Sequence, residues 1–463
     1  MNEKTAMSAN QISRRRFLIS TAAAASSAWF LAACSPDGGS APAAAPSPST
    51  VPQSEIDKAL DTETTLTFWT WVPDIQNQVK LFTTKYPKIK VNLVNVGQGA
   101  PHYQKLRTAI QAGQGAPDVA QVEFQFINSF TLGDGSLLDL TPYAPATLKD
   151  SYPEWVWAQV LTNGGLWGIP QDTGPMGLLY RQDLLQAAGL EAPKTYDDFA
   201  AAAQTYRSKN PKSYLVNVAP SQPGQMVAYL WQAGVRPFSF DGKQTVKVDL
   251  ANDQSKNVVK FWGDLVTSGV ASNDSDFNDS WYQGLSNGKY ATLPIAAWGP
   301  VFLQGAAGKT SGKWRAADLP QWDPSQTVSS NWGGSTDAVL KLSKNPIAAS
   351  QLALYINTNK ESALKFANEQ FLFPAMKEIL TDPSFVNQES KFYGGQKVNE
   401  KFAQISETVS PDFGWLPFMD YVYTNFNETL GKAFADKTDA VAGLQAWQDA
   451  SAKYAKDQGF TVA

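Results

Sequence analysis

The sequence predicts an α/β protein with two lobes. A β-branched and aromatic run at 65–69 is followed at once by a helical pattern, and the alternation of strand and helix then repeats. A second strand and helix pattern starts after Asp172. With 463 residues, 43% of them hydrophobic, the chain is long enough to bury two cores.

The first lobe is predicted from five alternating elements. They are a strand at 65–69, a helix from Pro73, a strand at 89–96, a helix that ends at Gly113 and a strand at 118–124. In parallel sheets, ligands bind beyond the carboxyl ends of the strands. The strand ends predict binding residues at Trp71, Gln98, Glu123, Phe124 and Gln125.

The second lobe is predicted from a further α/β pattern. Its elements are a strand at 177–180, a helix that opens near Thr195, a strand at 214–218, a helical face at 258–265 and a strand after Gly288. No fixed-period repeat is visible in the sequence, which excludes a solenoid.

The N-terminus predicts export and lipid attachment. Residues 13–18 read S-R-R-R-F-L, which is similar to a twin-arginine signal, and L-A-A-C ends at Cys34 like the lipobox of a lipoprotein. The uncharged run at 19–33 is shorter than the roughly 20 residues that a membrane span needs. We therefore predict a signal peptide at 1–33, a lipid on Cys34 and an Ala/Pro/Ser linker at 34–60.

Composition narrows the classes of function. Cys34 is the only cysteine, so the mature body has no disulfide, thiolate metal cluster or Cys–His nucleophile. The net charge of −4 offers no basic footprint for nucleic acid. Residues 308–310 lack the preceding glycine of a phosphate loop. Residues 274–278 resemble a calcium loop, but the glycine that such a loop needs is absent, so a solvated turn is predicted there. The sole histidine, His102, is expected on a helix surface. We predict no cofactor, no metal and no catalysis.

Several stretches resemble the family 1 extracellular solute-binding proteins, the group that includes maltose-binding protein, from residue 64 to the C-terminus. The matching stretches are L-T-F-W at 66–69, A-P-D-V at 116–119, G-S-L-L-D-L at 135–140, L-W-G-I-P at 166–170, L-Y-R-Q-D-L at 179–184, A-A-G at 187–189, P-K-T-Y at 193–196, G-K-Y-A at 288–291 and G-G at 333–334 before S-K-N at 343–345. Two later stretches, at 393–399 and 413–418, are most similar to actinobacterial receptors for di- and oligosaccharides.

The resemblance implies a two-lobed periplasmic-binding-protein-like clamp of type II, with a mixed, mostly parallel sheet flanked by helices in each lobe. Lobe 1 would comprise 61–171 plus about 331–369, and lobe 2 would comprise 172–330 plus about 370–463. The chain would cross near Gln171, Asn331 and Glu369. The implied function is a monomeric substrate-binding lipoprotein, tethered outside the cytoplasmic membrane, that delivers a carbohydrate to the permease of an ATP-binding-cassette importer.

A sugar site needs flat aromatic rings for the C–H faces and short polar groups for the hydroxyls. Candidates lie at predicted strand ends and lobe crossings, or are implied there by the family pattern. The predicted ligand-binding residues are Trp71, Gln98, Glu123, Phe124, Gln125, Asp172, Trp231, Gln232, Trp298, Trp332, Gly334 and Trp415.

Four alternatives stay open from the sequence. Any one of these tryptophans could pack in a core, and Asp172 could cap a turn after Pro170. Two acidic residues could meet as the carboxylate pair of a surface-tethered glycoside hydrolase. The same clamp could also hold a non-sugar solute.

Overall fold

The structure, a computed structural model, describes residues 50–133, 135–370 and 372–463. Its strands are β1 Thr64–Trp69, β2 Ile89–Val94, β3 Val119–Glu123, β4 Leu161–Thr162, β5 Gly165–Leu166, β6 Ile169–Asp172, β7 Met176–Arg181, β8 Phe238–Phe240, β9 Thr245–Val248, β10 Thr292–Ala296, β11 Trp314–Asp318, β12 Ser335–Val339 and β13 Thr461–Val462. The predicted signal peptide at 1–33 and the lipidation residue Cys34 lie outside the described residues.

The helices surround these strands. They are α1 Gln53–Leu60, α2 Gln76–Lys85, α3 Ala100–Ala112, α4 Ile127–Thr131, α5 Glu154–Val160, α6 Gln182–Ala187, α7 Tyr196–Lys209, α8 Pro223–Gln232, α9 Asp253–Thr267, α10 Asp279–Asn287, α11 Gly299–Ala306, α12 Pro346–Thr358, α13 Lys360–Glu369, α14 Lys377–Leu380, α15 Pro383–Val386, α16 Val398–Ser406, α17 Met419–Phe426, α18 Leu430–Asp436 and α19 Ala440–Asp457. Within the described residues no helix has the length and apolar character to cross a membrane.

Two sheets organise the fold, and they confirm the predicted α/β class. The larger has the order β2-β1-β3-β12-β6, in which β1 runs parallel to β2 and β3 while β12 runs antiparallel to β3 and β6. The second has the order β10-β7-β11. Buried side chains such as Leu66 and Phe68 on the first sheet and Leu178 and Leu179 on the second fill the cores.

The resemblance implied a mostly parallel sheet in each lobe, but the second sheet is antiparallel. Both of its pairings are antiparallel, because β7 starts at the point where the chain leaves the first sheet whereas β10 and β11 run back toward it. Ala296 at the end of β10 pairs with Met176, and Asp318 at the end of β11 pairs with Gly177. A third, smaller sheet has the order β13-β9-β8.

Local signals in the sequence explain where some helices begin and end. Thr195 and Asp198 form a capping box at the start of α7, and Gly113, with φ of 65°, ends α3. The helix expected from Pro73 begins only at Gln76, since Asp74 has a left-handed φ of 56° that a helix does not permit. The expected strand at 214–218 makes only isolated bridges, from Tyr214 to Tyr290 and from Asn217 to Ser272.

Three segments connect the elements of the first two sheets, and they lie side by side. The passage from β6 to β7 is hydrogen-bonded on one side to the segment after α13, where Thr173 N–H donates to Phe373 O at 2.9 Å. On its other side it meets the segment before β12, where Trp332 N–H donates to Gly174 O at 2.8 Å and Gly174 N–H donates to Asn331 Oδ1 at 2.8 Å. This group of three connections, 172–176, 329–335 and 372–376, is called the crossing region below.

Candidate functional site

Asp172 lies at the crossing region, at the end of β6. Its carboxylate oxygen Oδ1 accepts the backbone N–H of Ser335 at 3.0 Å and also accepts the Ser335 hydroxyl. The side chain is 8% exposed, and burial raises the pKa of Asp172 while the two bonds from Ser335 act in the opposite direction. These bonds fix the carboxylate at the junction of the two lobes' connections.

Phe124 and Gly334 are brought directly to Asp172. Phe124 N–H donates to Gly334 O at 3.1 Å, and Gly334 has a φ of 91° that favours glycine. A Cβ atom on residue 334 would lie 2.6 Å from the Phe124 ring and 3.0 Å from the Asp172 carbonyl oxygen. Glycine is therefore required here for β3 and β12 to meet the crossing region.

Glu123 and Gln125 flank Phe124 at the end of β3. The Tyr103 hydroxyl donates to Glu123 Oε2 at 3.0 Å and accepts the Glu123 backbone N–H at 2.9 Å, and the Gln125 side chain is hydrogen-bonded to the same carboxylate. Burial raises the pKa of Glu123 to about 7. Near neutral pH this carboxyl can therefore accept from a hydroxyl or donate to one.

Trp71 follows β1 at the same edge of the sheet. Its backbone N–H donates to Gln121 Oε1 at 3.1 Å, and its half-buried ring packs edge-on against His102, with centroids 5.0 Å apart. Gln98 follows β2 and is exposed between Gly97 and Gly99. All three predicted strand-end positions thus lie at one edge of the large sheet.

The sequence predicted His102 on a helix surface, but the residue is fully buried beneath Trp71. Its Nε2 lies 3.0 Å from Gln121 O, and its ring packs edge-on against Tyr103. Burial lowers the pKa of His102 to about 4, so the imidazole is neutral at pH 7. The helical position after Pro101 suggested exposure, but α3 turns that face onto β3 and the Trp71 ring.

Trp298 and Trp332 form the exposed aromatic part of the site. The Trp298 indole N–H donates to Trp332 O at 3.0 Å, and the two rings meet edge to face with centroids 5.0 Å apart. The Trp332 ring packs against Gly224 at the start of α8, where a Cβ would lie 2.5 Å from the indole nitrogen. Both rings are half-buried and keep part of their surface open.

Phe277 is a third member of this aromatic group that sequence reasoning missed. Its ring centroid lies 6.0 Å from Trp298 and 6.3 Å from Trp332, and 37% of the side chain is exposed. The residue lies in the Asp-rich segment 274–278, which the sequence indicated as a solvated turn. The signal in the sequence was an aromatic residue among the Asp, Ser and Asn of such a turn.

Trp231, Gln232 and Trp415 are placed in the interior and not beside Trp298 and Trp332. Trp231 has 0% exposure and stacks on Phe413 with centroids 4.3 Å apart. Trp415 is 6% exposed and donates its indole N–H to Gln159 Oε1 at 2.6 Å. Gln232 accepts the Tyr196 hydroxyl at 2.7 Å and donates to Pro320 O at 2.9 Å. Their contacts are those of structural side chains.

Within the described part of the chain no group of three or more His, Cys, Asp or Glu side chains could hold a metal ion. The groups that the site offers are its aromatic rings, its amides and two carboxyl groups, Glu123 and Asp172, whose pKa burial raises. These groups can stack on apolar C–H faces and exchange hydrogen bonds with hydroxyls.

The comparison with family models gives one match. A model described as bacterial extracellular solute-binding protein matches residues 68–368. Among curated proteins, the arabinooligosaccharide-binding protein of Bacillus subtilis is 27% identical over 316 residues, which cover 65% of this chain and 71% of that protein.

Two solved structures are similar in sequence as well as in fold. The ABC-transporter-associated binding protein of B. animalis subsp. lactis, in complex with β-1,6-galactobiose, is 31% identical with a TM-score of 0.74, covering 87% of this chain and 99% of that one. The galacto-N-biose and lacto-N-biose I binding protein of Bifidobacterium longum, in complex with lacto-N-biose, is 27% identical with a TM-score of 0.75, covering 86% and 98%.

Proposed function

Because this chain belongs to the bacterial extracellular solute-binding protein family, we propose that it is the carbohydrate receptor of an ATP-binding-cassette importer. Its relatives bind arabino-oligosaccharide, β-1,6-galactobiose and lacto-N-biose. The observation that carries the proposal is the pair of partly open indoles, Trp298 and Trp332, set at the crossing region of a two-lobed α/β clamp.

The ligand that we propose is a neutral di- or oligosaccharide. Phe277, Trp298 and Trp332 offer apolar surface to the C–H faces of a pyranose or furanose ring. Asp172 and Glu123, both with pKa values raised by burial, offer oxygen atoms to its hydroxyls, and their acidic character disfavours an anionic solute.

Capture requires the two lobes to close on the sugar. The crossing region is the only set of covalent connections between the two larger sheets among the described residues, so rotation about it would bring the strand ends of the first sheet toward the aromatic group. Trp71, Gln98 and Gln125 would then face the sugar from one lobe, and Trp298 and Phe277 from the other.

We further propose that the receptor is a lipoprotein. The S-R-R-R-F-L pattern and the L-A-A-C sequence that ends at Cys34 support export by the twin-arginine pathway and a lipid anchor in the outer face of the cytoplasmic membrane. The receptor would act as a monomer and deliver the sugar to permease subunits without turning it over.

Titration calorimetry of residues 35–463 with β-1,6-galactobiose, lacto-N-biose and arabinotriose tests the proposal. We expect saturable binding of at least one of these sugars, weakened in Trp298→Ala and unchanged in Leu342→Ala, a control at an apolar side chain that is 46% exposed elsewhere. Absence of binding for all three would contradict the ligand class.

A parallel assay for reducing ends separates a receptor from a glycoside hydrolase. The receptor should leave each bound sugar intact over hours. Release of monosaccharide that is lost in Glu123→Gln or Asp172→Asn would instead favour hydrolysis by a carboxylate pair.

A further inference from the structure

A second groove lies away from the crossing region, between the loop 321–328 and the segment 407–411. It has a volume of about 580 Å³, and Trp322 lies on its wall. The helix α8 separates it from the site described above, since Gly224 near the start of α8 contacts Trp332 whereas Gln232 at its end lines the groove. Eight residues of helix correspond to about 12 Å.

Trp322 presents one ring face to this groove. Tyr196 covers the other face, stacked at a centroid distance of 3.9 Å and an interplanar angle of 22°, and Phe261 packs edge-on at 5.4 Å. Tyr196 is itself only 2% exposed and is held by its hydrogen bond to Gln232. Yet 36% of the Trp322 side chain remains exposed. A large apolar ring is therefore held rigidly with its free face toward solvent, as stacking on a ligand requires.

The loop that carries Trp322 is closed by its own hydrogen bonds. Gln321 Oε1 accepts Val328 N–H at 2.7 Å and so joins the two ends of the loop. Asp323 accepts the backbone N–H of Ser325 at 2.9 Å and its hydroxyl at 2.7 Å, and it accepts the Gln326 amide at 3.1 Å. These bonds lower the pKa of Asp323, which is ionised at neutral pH.

The polar groups around the ring select the class of ligand. The lining residues, all in the described part of the chain, include the carboxylates Asp323 and Glu407 and the amides Gln254 and Gln326, but no Lys or Arg. The charged side chains in this lining are both carboxylates, which disfavour a phosphate, a carboxylate or a nucleic acid. Arg236 reaches the segment 407–411 from outside the lining, where its guanidinium donates to Ser410 Oγ at 2.6 Å and to Pro411 O at 3.0 Å. A neutral polyol can donate its hydroxyls to the carboxylates and exchange bonds with the amides.

We propose that the Trp322 groove is a second carbohydrate-binding site, in which one neutral sugar ring stacks on the open face of Trp322 and is bound through its hydroxyls by Asp323, Glu407 and the neighbouring amides. The ring stack of Trp322 on Tyr196 together with the acidic and amide lining carries this assignment. The site goes beyond the receptor function, since it does not involve the crossing region.

Fluorine NMR on protein labelled with 5-fluorotryptophan tests the groove. The Trp322 resonance is assigned by its loss in Trp322→Phe. Lactose, maltotriose and arabinotriose are then added separately, each to about 20 mM, a concentration at which binding with a millimolar dissociation constant is detected. We expect a saturable shift of the Trp322 resonance with at least one neutral sugar. The shift should persist in Trp298→Ala and should not occur with digalacturonate, an anionic control.

Three results would overturn the proposal. They are no Trp322 shift with any of the three neutral sugars, an equal shift with digalacturonate, or a shift that disappears in Trp298→Ala and therefore reports only on the crossing-region site. The experiments test the receptor site and the Trp322 groove independently. If Trp322 responds while calorimetry finds no binding that depends on Trp298, the receptor site is wrong and the groove stands.

Discussion

Trp298 donates its indole N–H to the backbone carbonyl of Trp332 at 3.0 Å, so that one tryptophan anchors the chain segment that carries the other. Trp298 follows β10 of the second sheet, and Trp332 precedes β12 of the larger sheet. The bond therefore ties the aromatic group to a connection between the lobes. A sugar that stacks on either ring would therefore contact this connection, about which the proposed closure of the lobes would turn.

The aromatic residues should separate into two classes on mutation. Trp298→Ala should weaken sugar binding by about 1 to 3 kcal/mol, because a partly open ring loses a ligand contact, with a smaller change in ligand-free stability. Trp231→Ala should instead lower the free energy of unfolding by about 3 to 5 kcal/mol, because this ring is fully buried. Calorimetry and urea unfolding of both variants give the two quantities. A Trp298→Ala protein that binds sugar normally would remove this residue from the site.

Gly334→Ala should destabilise the protein more than Gly395→Ala. Both residues have positive φ, 91° and 86°, so each alanine carries a backbone cost of about 1 to 2 kcal/mol. Only at residue 334 does the new Cβ collide with the Phe124 ring, whereas at Gly395 no atom lies within 4 Å. The difference between the two melting curves reports the contacts of the new Cβ with the Phe124 ring and the Asp172 carbonyl oxygen. Equal losses would show that both neighbours move aside without cost.

Glu123 should make stability depend on pH between about 4.5 and 7. Its pKa is raised to about 7 in the folded protein, so in this window the folded state holds a proton that the unfolded state has lost. The contribution of Glu123 to the free energy of unfolding is fully present below pH 4.5 and is lost as the pH rises through about 7. Glu123→Gln removes this pH dependence. Between pH 5 and pH 8 the free energy of unfolding should therefore fall in the wild type by about 1 to 3 kcal/mol more than in the variant.

Urea unfolding at the two pH values measures this difference. Asp337, whose pKa is also raised to about 7 by burial, titrates in both proteins, so its contribution cancels. Glu191→Gln, at an exposed position, serves as a matched control and should show no such change. A constant difference between Glu123→Gln and wild type across this range would contradict the raised pKa.

Cys34→Ala should release the protein from the membrane without changing its melting temperature. Of the predicted linker, Gln53–Leu60 forms α1 of the folded body, so only the Ala/Pro/Ser-rich residues before α1 would separate the lipid from that body. Two acyl chains on one cysteine would provide the stable anchor. Fractionation of cells that produce wild-type and variant protein gives the result. A variant that still sediments with washed membranes would exclude the lipobox interpretation.

Lysine in place of both Arg14 and Arg15 should stop export of the folded protein, since the paired arginines are the distinguishing part of the twin-arginine pattern. The charge of the segment is unchanged by this substitution, so a loss of export reports on arginine itself. We expect the precursor to accumulate in the cytoplasm, where immunoblotting of cell fractions measures it. Normal export of the variant would indicate the general secretory route.

Sequence patterns predicted the elements better than the contacts between them. The helical face of Tyr103 and Leu106 and the stop at Gly113 correctly predicted α3, because periodicity and a left-handed glycine are local signals. Trp298 and Trp415 both lie close to glycine and proline, yet one is half-buried and the other is packed against Gln159. Local sequence does not distinguish them, since their burial depends on which distant segments cover them. For Phe277 the aromatic residue in a polar turn was a local signal, but its packing beside Trp298 and Trp332 depends on segments distant in sequence.

The position of β12 has a consequence for how the chain is made. This strand, Ser335–Val339, lies between β3 and β6, so the sheet of the first lobe is interrupted until a segment more than 160 residues downstream of β6 has been synthesised. A nascent chain that ends before Ser335 would expose the edges of both neighbouring strands, which are templates for aggregation. Pairings this distant in sequence also form slowly. The sheet of the first lobe can therefore be completed only after Val339 has emerged, and a chaperone that covers the β3 and β6 edges would act in the interval between the synthesis of β6 and that of β12.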